Sequence, residues 1–150
     1  MKSFKTLIVL ALAVFLTSCS KADDNINEAA LSESEIPACI FAYKKEHFPD
    51  HALIRVIKDA ELGNNTYEVY LTGNLELDFN ANCEIIDIDG NMKLPKSVIP
   101  QALFDYVIQN YAAYFITDWE LEFNHQQIEL DNGMELEFEM DGTFRKIDND

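Results

Sequence analysis

Basic residues are scarce in this chain. Eleven Lys and Arg stand against 27 Asp and Glu, a formal net charge of −16. A surface with that bias repels phosphate backbones, which argues against nucleic acid as a partner. It also repels anionic lipid headgroups, so the protein surface alone cannot hold the chain to a membrane. Long hydrophobic runs are missing too. Leu7 to Leu16 is an unbroken apolar run of ten residues, whereas a membrane-spanning helix needs about 20. The catalytic vocabulary is thin. No Gly-x-Ser-x-Gly occurs, and the serines beyond the leader are Ser20, Ser32, Ser34 and Ser97. A serine nucleophile needs a His and a carboxylate to activate it, whereas Ser20, Ser32 and Ser34 fall in the expected tether and Ser97 beside a Pro-flanked linker. Cys39 falls in a predicted helix without a neighbouring His, which argues against a thiol nucleophile. The chain is therefore read as non-catalytic, with no cofactor.

The amino terminus carries an address. Lys2 and Lys5 precede the apolar run, and Leu16-Thr17-Ser18-Cys19 follows it. This is the three-zone pattern of a signal peptide over residues 1–18. It ends in a lipobox, in which Cys19 supplies the sulfur that takes a diacylglyceryl group. Removing the leader leaves nine basic residues against 27 acidic ones, a net charge of −18. The expected location is the cell envelope, lipid-anchored in the outer membrane on its periplasmic or surface face. Residues 19–35 are polar, acidic and poor in large apolar side chains, so they are expected to be a disordered tether, with a reach of about 20–25 Å. Asp23 and Asp24 resemble the acidic export signals of some surface lipoproteins; the alternative is a generic acidic tether.

The remaining chain, about 115 residues, suffices for one ordinary domain. It contains internal self-similarity. Ile36-Pro37, Ile40, Phe41 and Tyr43 recur 63 residues later as Ile99-Pro100, Leu103, Phe104 and Tyr106. Val69, Leu71, Leu77, Phe79 and Ile88 recur 59 residues later as Ile128, Leu130, Leu136, Phe138 and Ile147. Each copy is expected to open with a helix, since Pro37 and Pro100 suit a first helical turn and Pro49 stops the first helix. Strands follow, read from strict alternation: Tyr67, Val69 and Leu71; Leu75, Leu77 and Phe79; Trp119, Leu121 and Phe123; Met134, Leu136 and Phe138. Gly73-Asn74 and Asn132-Gly133 mark tight turns. The expected fold class is α+β. It is a tandem repeat, 36–93 and 94–150, of one helix plus up to four antiparallel strands, with the helices packed on one sheet face and the other face wet and acidic.

At these residues the chain resembles the PepSY-like domains of secreted bacterial proteins, also described as beta-lactamase-inhibitor-like. The resemblance covers 36–150. It rests on the two Ile-Pro helix openings, on Y-E-V-Y-L at Tyr67 to Leu71, and on G-M-E-L-E-F-E-M-D-G-T-F at Gly133 to Phe144. Cys83 stands where the second copy has its turn glycine, Gly142, which argues against a left-handed backbone at 83. The resemblance implies a non-catalytic domain that restrains a secreted hydrolase by protein contact. It carries over no inhibitory residue.

The exposed strand positions are the candidate binding surface: Tyr70, Glu76, Asp78, Glu120, Glu122, Glu129, Glu135 and Glu137. So many carboxylates imply a basic protein surface as partner and a salt-dependent on-rate. The alternative is an envelope protein that uses the same acids for a cation or small ligand. Asp78-x-Asn80-x-Asn82 and Glu137-x-Glu139-x-Asp141-Gly142 look like openings of calcium loops. Both also fit strand alternation, which would splay the acids along a face instead of into a cage. His47 and His51 have the spacing of a helical zinc pair, but Pro49 between them breaks the helix, and no metal site is expected. Cys39 and Cys83 are the candidate disulfide. A helix running up, two strands and a third descending return Cys83 to the end where Cys39 lies; the alternative is two unpaired thiols.

Overall fold

Proline sets both helices. Pro37 caps α1 (Ala38–His47) and Pro100 caps α2 (Gln101–Asn110), each with the extended backbone that a helix entry needs. α1 ends at His47, with Phe48 as its cap, immediately before Pro49. The computed structural model describes residues 30–59 and 66–148. The signal peptide, Cys19 and the first part of the tether lie outside them. Of the span read as tether, residues 30–35 rest on the domain. Ala30 bridges Ile57, Leu31 N–H donates to the Val56 carbonyl at 2.8 Å, and Ser32 N–H donates to the Glu35 carboxylate at 2.9 Å.

Eight strands follow the alternation of apolar and polar residues. They are β1 (Leu53–Asp59), β2 (Thr66–Leu71), β3 (Leu75–Phe79), β4 (Ile85–Asp89), β5 (Ile116–Leu121), β6 (His125–Leu130), β7 (Glu135–Glu139) and β8 (Phe144–Asp148). All belong to one antiparallel sheet in sequential order, β1 to β8. The expected architecture, a tandem repeat of helix-plus-strands units with helices packed on one sheet face, is therefore corrected. The fold is mainly one eight-stranded sheet, and the helices are two short segments of ten residues each. Two separate four-stranded units would each leave an open strand edge in mid-chain, with unpaired N–H and C=O groups. Pairing of β4 with β5, Ile88 opposite Trp119 and Asp87 opposite Glu120, removes those edges.

The core lies along one face of this sheet. Val56, Val69, Leu77, Phe79, Ile88, Ile128, Leu136 and Phe138 are at most 1% exposed. Ile40 from α1 and Leu103 and Val107 from α2 join the same cluster. Tyr43 meets Phe79 edge-on at 5.2 Å, and Tyr106 meets Phe138 likewise at 5.3 Å. Trp119 Nε1 donates to Gln126 Oε1 at 3.2 Å, which satisfies both buried polar groups.

Two sequence expectations change locally. Phe123 is not a strand residue. β5 ends at Leu121, and Phe123 is 100% exposed in the turn to β6. Cys83 adopts the left-handed backbone despite its side chain, with φ +64°. Its sulfur is bonded to that of Cys39, the two Cα atoms 6.4 Å apart. At the matching positions 102 and 142, a Cβ added to Gly142 would lie 2.5 Å from Ala102 Cβ. A close approach of helix and turn is thus built twice, once with glycine and once with sulfur.

Candidate functional site

Strand alternation puts the carboxylates opposite the core, and antiparallel register lines them up. Glu68 of β2 pairs with Asp78 of β3, Asp78 with Asp87 of β4, and Asp87 with Glu120 of β5. The row continues through Gln127 and Glu137 to Lys146 of β8. Directly opposed residues have Cβ atoms about 4.5–5.5 Å apart, so like charges there repel. A second row runs from Asp118 through Glu129 and Glu135 to Asp148. A third joins Arg55, Tyr70, Glu76 and Asp89.

The two margins of the face are compensated within the chain. At the β1 side the Arg55 guanidinium stacks 4.0 Å from the Tyr70 ring centre, and Tyr70 O–H donates to Glu68 Oε2 at 2.9 Å. At the β8 side Glu137 receives Lys146 Nζ at 3.0 Å, Arg145 Nη1 at 3.7 Å and His125 Nε2 at 4.0 Å. Gln127 Nε2 donates to Glu135 Oε2 at 2.8 Å.

The middle is not compensated. Among the described residues no Lys or Arg forms an ion pair with Asp78, Asp87 or Asp118. Asp78 Oδ1 is buried without a hydrogen-bond partner. Partial burial, then the charges of Glu76, Glu68 and Glu120, push the Asp78 carboxyl up to about 6. Burial, then Asp118, Asp78, Glu120 and Asp89, push Asp87 up to about 8. Burial, then Asp89, Glu129, Glu120 and Glu135, push Asp118 up to about 7. Glu120 is raised as well, chiefly by burial and Glu122. Burial first, and then the neighbouring like charges, favour the protonated form of each of these carboxyls.

Seven of the eight residues singled out in the sequence lie on β2, β3, β5, β6 or β7. Glu122 follows the end of β5 and is exposed. Glu137 differs from expectation: only 6% exposed, it is enclosed by its own basic neighbours and presents little carboxylate to a partner. Asp87 and Asp118, the two most perturbed acids, were missed. Asp118 shares the parity of Glu120 and was legible. Asp87 was hidden by the register shift between β3 and β4, which breaks alternation through Ile85-Ile86.

The other constellations resolve into local structure. Asn80 Oδ1 accepts from the backbone N–H of Asn82 at 2.9 Å and of Glu84 at 3.0 Å, closing a turn. Asp141 Oδ1 accepts from Thr143 N–H at 2.9 Å, and Glu139 pairs with Arg145 at 3.1 Å. His47 Nδ1 and Ser97 Oγ lie 2.9 Å apart, and His51 Nδ1 meets the Thr72 carbonyl oxygen at 2.6 Å. Both rings line one cavity of about 140 Å³ beside Met92 and Lys93. Among the described residues no group of three or more His, Cys, Asp and Glu is placed to hold a metal ion. Nor is any helix there long and apolar enough to cross a membrane.

A family model described as "Putative beta-lactamase-inhibitor-like, PepSY-like" matches residues 24–87 and 65–146. No curated protein matches the chain. Three solved structures are similar in fold. A "putative periplasmic protein" of the DUF2874 family from Bacteroides vulgatus has 25% identity and a TM-score of 0.76, covering 85% of this chain and 99% of that one. A second Bacteroides vulgatus "putative periplasmic protein of unknown function" has 26% identity and a TM-score of 0.75, covering 81% and 98%. A "putative calcium-regulated periplasmic protein" from Bacteroides thetaiotaomicron has 23% identity and a TM-score of 0.75, covering 80% and 95%.

Proposed function

The chain belongs to the PepSY-like, beta-lactamase-inhibitor-like family, and from that premise we propose that it is a non-catalytic envelope lipoprotein that docks to another protein through the acidic face of its sheet. The observation that carries this reading is the run of opposed carboxylates Glu68, Asp78, Asp87 and Glu120, whose middle members form no ion pair with a Lys or Arg among the described residues. A soluble domain that maximised stability would not place like charges across three strand pairs. A basic protein surface seated there relieves the repulsion, and restraint of a secreted hydrolase is one consequence of such contact. The inferred signal peptide 1–18 and lipidated Cys19 tie the domain to the outer membrane by acyl chains. Cys19→Ala is expected to move the protein out of the detergent phase; unchanged partitioning would place the anchor elsewhere.

A second reading, cation binding by the same acids, takes its support from one fold neighbour, the Bacteroides thetaiotaomicron protein described as calcium-regulated. Capture from envelope extract at low and high salt, alongside melting with and without calcium, separates the two. Salt-sensitive capture without a calcium-dependent transition supports docking. A calcium-raised Tm with no captured protein overturns it.

A further inference from the structure

Position by position, Asp78 and Glu137 are counterparts 59 residues apart, each at the same place in a register shift. Phe79 opposes Ile85 and Asp78 opposes Asp87, with Ile86 as the extra residue. Phe138 opposes Phe144 and Glu137 opposes Lys146, with Arg145 as the extra residue. The fold thus builds the same carboxylate position twice, on the face opposite the core. On β7 it supplies Lys146 and Arg145, at 3.0 and 3.7 Å. On β3 it supplies a second acid and an isoleucine, and leaves Asp78 Oδ1 without a partner. The filled position shows what satisfies this carboxylate: long basic side chains, supplied there by the neighbouring strand β8. Beside Asp78 the neighbouring strand offers Asp87 instead, so a cation for it has to come from outside the sheet.

Resting on the docking reading above, we propose that the Asp78–Asp87–Asp118 centre seats a Lys or Arg side chain of the partner protein and holds protons in its place while the partner is absent, so that capture is coupled to proton release. The groups facing this centre are acidic on every adjoining strand. Glu68 of β2 and Glu76 of β3 face Asp78, and Asp89 of β4 with Glu120 of β5 faces Asp87. Glu129 of β6 and Glu135 of β7 face Asp118. On Glu120 the neighbouring His125 acts in the opposite direction, lowering its pKa. With carboxyls that titrate near 6, 7 and 8, part of the centre is protonated at neutral pH. A cation inserted among them favours the ionised forms and expels those protons.

The test uses the full-length protein with deca-lysine as probe, by calorimetry at low salt in phosphate and in Tris, whose ionisation heats differ. Proton release at pH 7, with affinity rising about tenfold per pH unit for each proton released, is the expected result. Asp87→Asn with Asp118→Asn should abolish the buffer dependence, and Glu46→Gln on α1 should preserve it. Circular dichroism checks that each variant is folded. Binding that is independent of buffer and of pH from 6 to 8.5 overturns the coupling and leaves the docking reading standing. No binding at pH 8.5 and low salt overturns both.

Discussion

Glu135 and Glu137 sit two residues apart on one strand face, yet their surroundings assign them different roles. Glu135 is half-buried and bonded to the Gln127 amide, whereas Glu137 is enclosed by three basic groups. Alternation made their shared orientation legible and could not show that Arg145 and Lys146 both reach one of them, because the register shift in β8 is a property of pairing. Glu135→Lys is therefore expected to leave the Tm nearly unchanged. Glu137→Lys places a third cation against two, and should cost about 2 kcal/mol or more, lowering the Tm by roughly 8 °C; equal melting of the two variants in differential scanning calorimetry would contradict this. The acids at the centre give stability a pH dependence whose sign follows from their direction. Asp78, Asp118 and Asp87 are raised to about 6, 7 and 8, above an unfolded value of about 4. Between those limits the folded state holds more protons than the unfolded one, so stability falls as pH rises. The Tm should climb as pH is lowered from 8 to 5, and Asp87→Asn should flatten the upper part of that slope. A Tm that instead rises toward pH 8 would contradict the assignment.

At the scale of elements, the strands were legible wherever apolar residues alternate on a half-buried surface, as in β2, β3 and β7. Boundaries were less so. Phe123 continues the alternation of β5 in sequence but projects from a turn, because periodicity records no hydrogen bonds. Cys83 shows the reverse case: a residue type that disfavours positive φ holds it, with its sulfur bonded to α1. That bond spans 44 residues, and closing a loop of this length contributes about 4 kcal/mol in the chain-entropy account. Reduction is thus expected to lower the Tm by well over 10 °C. Labelling of denatured, unreduced protein should find neither Cys39 nor Cys83 reactive, and two reactive thiols would show the bond absent.

For the whole molecule, internal similarity suggested two units, and the chain instead builds one sheet in which matched positions serve different ends. Residue spacing reveals which positions match. It does not reveal that β4 and β5 pair, since that contact joins stretches with no counterpart pairing elsewhere in the chain. The consequence is an acidic face continuous across the middle of the sheet, compensated at both margins and, among the described residues, without a paired Lys or Arg where β3, β4 and β5 meet. Capture of a basic protein from envelope extract, compared between the parent protein and a variant carrying Asp78→Asn, Asp87→Asn and Glu120→Gln, tests this most directly. Neutralising these groups relieves repulsion, so the variant should fold at least as stably. The parent is expected to retain a basic protein at low salt that the variant loses; retention of the same protein by both would contradict the account.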